Sequence, residues 1–258
     1  MLPTTIDQVI DRLDGIIDTA RSKRTRDGFF AALYRTVTCT VKDGIAAGQF
    51  DDGERMARLD VVFANRYLEA WDHYRRGNRP TSAWQYSFEV ADRQQALVLQ
   101  HLLLGMNAHI NLDLGIAAAA VAPGARFPGL ERDFVSINRI LQELLDGVQD
   151  AIGDVSPVFG VLDRLGLWFD ESICNFSMRR ARGAAWEAGT RLSIVDQTAQ
   201  VPLIAELDAD ATRLAGLIHH PLIVNNPLFE WVYRAEADSI PIIIDRLYAT
   251  CPRTSTIS

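Results

Sequence analysis

The stretch Gln100–Ala120, QHLLLGMNAHINLDLGIAAAA, decides the predicted fold. It lies in a longer apolar run from about Ser82 to Ala122, which favours one central helix. Several polar side chains interrupt the leucines and alanines of this run, and burying them is unfavourable unless each finds a partner. We therefore expect these residues either to tie neighbouring helices together or to form a functional site. They are His101, Asn107, His109, Asn111 and Asp113.

Helical spacing of apolar residues recurs on both sides of this run, with proline and glycine between the segments. A short strand competes with a helix only in the β-branched patch 36–41, TVTCTV. These patterns predict an all-α, single-domain bundle (1–258) of about eight to ten helices around a central helix near residues 82–122. The other predicted helices run from Thr4 or Thr5 to about Arg21, from Asp27 to near Gly48, over Arg55–Arg75, Asp133–Ile152, a short segment from Pro157 to Leu165, Glu171–Val195, from Pro202 to before His219, and over Pro227–Ala249.

Composition excludes several classes of function. A net charge of −7 and a pI near 5.2 argue against a general nucleic-acid-binding surface. Three widely spaced cysteines form no CxxC pair and predict reduced thiols in a cytoplasmic protein. The N-terminus has no signal-peptide pattern, and His109 and Asp113 interrupt Leu102–Val121, so we expect no membrane span. No GxGxxG or P-loop pattern supports a nucleotide cofactor.

His109 and Asp113 are four residues apart, so on a helix their side chains are neighbours. An imidazole and a carboxylate at this spacing can bind one zinc or iron ion, but a buried Asp that accepts the imidazole N–H fits the same pattern. A divalent metal thus remains the open cofactor alternative, with His109 and Asp113 as its ligands. Further ligands would come from another helix, and the unranked candidates are Asp72, Glu89, Asp92, Asp133 and Glu143.

The remaining polar residues of the stretch have different expected roles. His101 lies about 12 Å from His109 along a helix axis, so it shares no ion with His109 unless the helix breaks at Gly105. We expect it to bond to a second helix or to begin a separate polar patch, and it remains a candidate for a further acid–base group. Asn107 and Asn111 lie on the opposite face, where hydrogen bonds that hold the bundle together are favoured over substrate binding.

Residues outside the central stretch complete the candidate site. Arg66 lies within an apolar helix and needs a carboxylate partner if it is buried. Tyr67 and Trp84 are candidate substrate-binding residues, although aromatic side chains at helical spacing are more often part of the core. The wider set that could line a pocket is Trp71, Tyr86, Phe88, Trp186, Arg179, Arg180 and Arg182.

With these residues in view, the chain resembles a bacterial family, common in actinomycetes, that is catalogued only as a domain of unknown function. The central segment 100–117, QHLLLGMNAHINLDLGIA, is the most specific part of the resemblance. The supporting pieces are Asn65–Leu68, the segment PTSAWQYSF over Pro80–Phe88, Asp133-Phe134 and Ile137-Asn138. The resemblance implies a compact helical domain and an assembled polar signature, and it carries no activity over to this chain.

The sequence predicts an enzyme that acts on a small organic molecule by acid–base chemistry. His109 would be the acid or base, Asp113 would orient it, and asparagine and tyrosine groups would bind the substrate. The reaction class stays open among cyclisation, isomerisation, elimination and hydrolysis, the last with a bound metal. The alternative is a non-catalytic protein that binds a small ligand and whose polar cluster is structural. An interaction scaffold is the least favoured class.

Overall fold

The computed structural model describes residues 1–93, 96–137, 178–220, 234, 236 and 240–249. Within these ranges the chain forms nine bounded α-helices, a π-helical segment and a 3-10 helix (Gly124–Leu130), with no strand. Residues 131–137 are also helical. The predicted all-α fold is confirmed. The helices are α1 (Ile6–Lys23), α2 (Asp27–Ala46), α3 (Gly53–Arg75), α4 (Ser82–Arg93), α5 (Val98–Asn107), α6 (Gly115–Val121), α7 (Met178–Ser193), α8 (Gln197–His219) and α9 (Ile240–Ala249).

Side-chain caps fix several helix starts. The Thr5 hydroxyl accepts a hydrogen bond from the Gln8 backbone N–H, as predicted, and Asp52 caps α3 in the same way. Asp196 accepts a hydrogen bond from the Ala199 N–H, so α8 begins at Gln197 and the predicted start at Pro202 was wrong. The patch 36–41 lies inside α2, because its Thr and Val side chains pack as part of a mostly buried helix.

The predicted helix over residues 82–122 is in fact two helices. The first, α4, ends at Arg93, and Leu97 has extended backbone angles just before α5 begins. The Leu97 N–H donates to the Gln100 side-chain oxygen at 3.0 Å, and the Val98 N–H donates to Glu236 at 2.9 Å. Side-chain acceptors for these two N–H groups stabilise a new helix start that apolar periodicity does not reveal.

From Val98 to Val121 the chain continues as one helix, called here the central helix, in which a π-helical segment (Ala108–Leu114) joins α5 to α6. The predicted alternative of a break at Gly105 is wrong, since the helix runs through that residue. By length and composition alone the central helix could cross a membrane, but most of it is buried by the rest of the described fold.

The central helix is the structural centre of the bundle. It contacts α2, α3, α4, α7 and α8 and contributes side chains to all three clusters of buried apolar residues. Around it, α1 and α9 pack against α2. The arrangement surrounds the polar groups of residues 107–113 with other helices, which places the candidate site in the interior.

Gly105 allows α2 to pack closely against the central helix. A Cβ atom at Gly105 would lie 2.4 Å from Cδ2 of Phe30, so an added methyl group must displace that ring. Phe30 in turn packs edge-on to His109, with ring centroids 5.7 Å apart. The absence of a side chain at residue 105 therefore sets the position of an aromatic wall of the site.

We expect Gly105→Ala to lower the free energy of unfolding by about 1–3 kcal/mol, because the Phe30 ring must leave its packed position. Gly183→Ala is the matched control, since Gly183 also lies within a helix and a Cβ atom added there would meet nothing within 4 Å. The control should be stabilising by up to about 1 kcal/mol, in line with helix propensity. Urea unfolding of both variants measures the difference, and equal effects would contradict the close-packing argument.

Several predictions fall outside the described residues. They are the predicted helix of Asp133–Ile152 beyond residue 137, the segment from Pro157 to Leu165, the start of the helix predicted over Glu171–Val195, the start of the block Pro227–Ala249, and the environments of Cys174, Cys251, Glu143 and the Arg179 side chain.

Candidate functional site

His109 lies in the π-helical segment and is enclosed by aromatic rings. Its imidazole stacks on Phe63 with ring centroids 3.5 Å apart and planes inclined by only 9°. Tyr34 approaches it edge-on at 4.4 Å, and Phe30, Tyr67 and Trp84 complete the surround. Only 3% of His109 is exposed. π-Helical segments within longer helices are frequent at functional sites, and this one carries the predicted acid–base histidine.

The His109 ring nitrogens have no hydrogen-bond partner in the described part of the chain. Nδ1 lies 3.7 Å from Oδ2 of Asp113, which is too long for a hydrogen bond. Burial lowers the pKa of His109 and outweighs the opposing attraction of Asp113, so the imidazole is neutral at neutral pH. A neutral imidazole with two unpaired nitrogens can donate one proton and accept another.

His109 lines a partly open cavity of about 70 Å³ between α2, α3, α7 and the central helix. An engineered cavity of roughly 150 Å³ holds benzene, so this smaller space suits a molecule of only a few heavy atoms. The walls are almost wholly apolar and include Leu33, Val37, Phe63 and Ile110. Among the described lining residues, four side chains carry polar groups: Tyr34, Asp60, His109 and Arg182.

Asp60 is the second titratable group of this cavity. It is 7% exposed, and its Oδ2 atom has no hydrogen-bond partner within the described ranges. Burial raises the pKa of Asp60 from 3.8 to about 7. Near neutral pH the carboxyl group therefore exists in both its protonated and ionised forms, as a general acid or base requires.

Tyr34 adds a phenol to the same cavity. It is 3% exposed, and the Thr38 side chain lies near its hydroxyl group, but no described residue forms a well-aligned hydrogen bond with that hydroxyl. Burial, followed by the nearby Asp60, raises the pKa of Tyr34 well above its ordinary value. The phenol stays protonated and can donate a hydrogen bond to a bound molecule.

Arg182, from α7, brings a cation to the cavity. It is 3% exposed, its Nη2 donates to the Phe134 backbone oxygen at 2.6 Å, and its guanidinium lies 4.5 Å from the centre of the Phe134 ring. Burial lowers the pKa of Arg182 to about 10, which leaves it charged at neutral pH. No carboxylate in the described ranges forms an ion pair with it.

Asp113 sits behind His109 and is engaged by other side chains. Its Oδ1 accepts a hydrogen bond from Nε of Arg66 at 3.0 Å, and its Oδ2 accepts one from the Trp84 indole N–H at 2.7 Å. The predicted carboxylate partner of Arg66 is thus Asp113. These bonds anchor α3 and α4 to the central helix and place the predicted substrate-binding residues Arg66 and Trp84 in a structural network.

Asn107 and Asn111 also have their amide groups engaged between helices. Asn107 is fully buried and donates to the Ala211 backbone oxygen of α8 at 2.7 Å, and Asn111 donates to the Asn107 side-chain oxygen at 2.9 Å. Neither lines the cavity of His109. These contacts favour the structural alternative for this pair over substrate binding.

His101 and Tyr67 belong to a separate, smaller space. Both line a cavity of about 10 Å³ together with Arg26, Trp84 and Ser87. Burial lowers the pKa of His101 to about 3, so its imidazole is neutral. His101 is not among the residues that line the cavity of His109, which agrees with the alternative of a separate polar patch.

The positions of the described side chains give little support to the predicted metal site at His109 and Asp113. Among the described residues, no group of three His, Cys, Asp or Glu side chains is arranged to hold an ion. Asp113 already accepts two hydrogen bonds, and the described candidates for further ligands are engaged elsewhere. Asp72 pairs with Arg12, Glu89 with Arg93, Asp92 with Arg75 and Asp133 with Arg55.

Sequence reasoning missed Tyr34 and Asp60, although a signal for Asp60 exists. Met56, Asp60, Phe63 and Tyr67 recur at helical spacing, so Asp60 is a lone carboxylate in the apolar stripe of α3. A charged residue at such a position is buried by the fold unless the stripe is exposed. Tyr34 has no comparable signal, because a tyrosine in an apolar stripe is ordinary core composition.

Comparison with known proteins gives one match. Residues 6–221 match a family model described as "Family of unknown function (DUF5995)". No curated protein and no solved structure matches the chain.

Proposed function

Since the chain belongs to DUF5995, a family of unknown function, we propose from its own geometry that it is an acid–base enzyme for a small, mainly apolar molecule. The supporting observation is the cavity in which His109, Asp60 and Tyr34 present polar atoms without hydrogen-bond partners in the described structure. Each such atom costs about 1–3 kcal/mol when it is buried and unpaired. A bound molecule that pairs with these atoms would remove this cost.

The protonation states of these groups suit proton transfer. His109 is neutral and offers a basic nitrogen, whereas Asp60, with its pKa of about 7, can supply or take up a proton near neutral pH. The Tyr34 hydroxyl can donate to an oxygen atom of the substrate on which negative charge develops. Isomerisation, elimination and cyclisation can proceed with these acid, base and hydrogen-bonding groups and need no redox cofactor. The apolar walls would hold the hydrocarbon part and keep bulk water away.

The second candidate function is a non-catalytic protein that binds a small ligand. The engaged amides of Asn107 and Asn111 and the double hydrogen bond to Asp113 favour it, because much of the predicted polar cluster is structural. It requires the same cavity to bind a molecule and His109 to act only as a hydrogen-bonding group.

We expect His109→Phe to fold with an unchanged or raised melting temperature and to abolish turnover. The phenyl ring can keep the stacking on Phe63, and two unpaired nitrogens disappear. The assay incubates the protein in D2O with short-chain alcohols, ketones and carboxylic acids and follows deuterium incorporation or product formation by proton NMR. His73→Phe is the matched control, since His73 is exposed on α3.

Each outcome separates the two candidates. Exchange or product formation that the control retains and His109→Phe loses supports the enzyme. Binding of members of the panel without any reaction supports the ligand-binding protein and contradicts catalysis. A panel that neither binds nor reacts contradicts both, and a large loss of stability in His109→Phe would indicate a structural histidine.

A further inference from the structure

We propose that the ligand of this cavity is a small organic monoacid whose carboxylate is bound by the guanidinium group of Arg182. This inference rests on the proposed function and names its substrate class. It starts from a buried cation in an almost wholly apolar cavity for which the described structure offers no acidic partner.

Burial of an arginine normally requires a carboxylate, because moving its charge out of water is costly. Among the described residues, Arg182 has only a neutral backbone oxygen and the face of Phe134 as close partners, and its Nε atom is buried without a hydrogen bond to any of them. The buried ion pairs elsewhere differ: Arg35 has Asp14, and Asp133 has Arg55. An anion from outside the chain would complete the pairing of Arg182.

Asp60 is the acidic side chain among the described residues that line the same cavity, and it forms no ion pair with Arg182. Near neutral pH it is partly protonated, and a bound carboxylate would favour the protonated form further. His109 and Tyr34 are neutral. The charged group that a ligand meets here is therefore mainly the guanidinium.

The size and the walls of the cavity restrict the anion. A space of about 70 Å³, in which the described lining offers a single cation among apolar side chains, suits a monoanion with a short hydrocarbon body. A phosphate dianion would need further positive charge. The planar guanidinium group matches the two oxygens of a carboxylate, and hydrogen bonds between charged groups are stronger than those between neutral groups.

The test compares acids with their neutral, nearly isosteric amides. Calorimetric titration measures the binding of acetate and acetamide, and of propanoate and propanamide, to the full chain at neutral pH. We expect each acid to bind about 10- to 100-fold more tightly than its amide. Arg182→Met should remove this preference and leave amide binding largely unchanged, whereas Arg182→Lys should keep part of it. Circular dichroism establishes that each variant is folded.

The outcomes distinguish this inference from the proposed function. Equal binding of acid and amide, or an acid preference that persists in folded Arg182→Met, overturns the role of Arg182 and leaves the cavity as a site for neutral molecules. Tighter binding of the amides overturns it as well. If no acid or amide binds to the wild-type chain, both this inference and the proposed function fail. If Arg182→Met does not fold, the comparison of acid with amide in the wild-type chain still tests whether the cavity prefers an anion, and Arg182→Lys tests whether that preference depends on the guanidinium group.

Discussion

Asp113→Ala should lower the free energy of unfolding by about 2–4 kcal/mol. Asp113 is 1% exposed and accepts hydrogen bonds from Arg66 and from the Trp84 indole. Without it, the indole N–H is left buried and unpaired, and Arg66 loses its partner. The arginine side chain is 28% exposed and regains some water, which keeps the loss below that of a fully buried pair.

Asp92→Ala provides a closely matched control. Asp92 also accepts one bond from an arginine and one from an aromatic residue, namely Arg75 and the Tyr74 hydroxyl, but its side chain is 40% exposed. Its loss should cost about 0–1 kcal/mol, as is usual for surface ion pairs. Urea unfolding at neutral pH gives both values. Similar losses for the two variants would mean that burial of Asp113 adds nothing to its stabilising role.

Asp60→Asn should stabilise the protein increasingly as the pH rises. The pKa of Asp60 is about 7 in the folded chain and near 3.8 in the unfolded chain, so the folded state binds more protons between these values. The stability of the wild-type chain therefore falls as the pH rises through this window. Asparagine does not titrate, and the difference between the variants should grow by about 1.4 kcal/mol per pH unit, to about 4 kcal/mol above pH 7.

The dependence of this stability difference on pH is what identifies the titration of Asp60. Any effect of the amide on packing would add the same amount at every pH. Urea unfolding of both proteins at several pH values from about 5 to 8 measures it. Asp11→Asn serves as the control because Asp11 is exposed on α1. A stability difference that stays constant with pH would show that Asp60 titrates alike in the folded and unfolded chains. Asp60 would then be excluded as the proposed acid–base group beside His109.

A buried carboxylate lowers the stability of the folded chain near neutral pH, so its presence at residue 60 indicates a role other than stabilisation. A leucine or asparagine at residue 60 would fit the apolar stripe of α3 at lower cost. The same reasoning applies to His109, whose ring is buried without a hydrogen bond to any residue that the structure describes. Two such residues on one cavity support a site more strongly than either does alone.

Local sequence patterns predicted a good deal of this fold. Thr5 caps α1 and Arg66 finds a carboxylate because capping and buried charge are governed by near neighbours and by simple energetics. The break before α5 was missed because Leu97 and Val98 are apolar and their backbone N–H groups are satisfied by Gln100 and by the distant Glu236. The apolar periodicity of residues 82–122 carries no information about these side-chain hydrogen-bond acceptors.

The candidate site was only partly predictable for a similar reason. His109 and Asp113 were found because polar residues in an apolar stretch are conspicuous. Which of them faces a cavity depends on the packing of α2, α3 and α7, which brings Tyr34, Asp60 and Arg182 from distant parts of the chain. Asp113, expected to orient His109, is instead held mainly by Arg66 and Trp84.

The π-helical segment Ala108–Leu114 has wider turns than the α-helices on either side of it, so it rotates α6 about the axis of the central helix relative to α5. Each residue of an α-helix turns the chain by about 100°, so a wider turn changes which face α6 presents relative to α5. That face carries Gly115, where a Cβ atom would lie 2.7 Å from the Ala185 backbone oxygen of α7. The π-helical segment, which begins at Ala108, thus sets both the position of His109 and the face against which the helix of Arg182 packs.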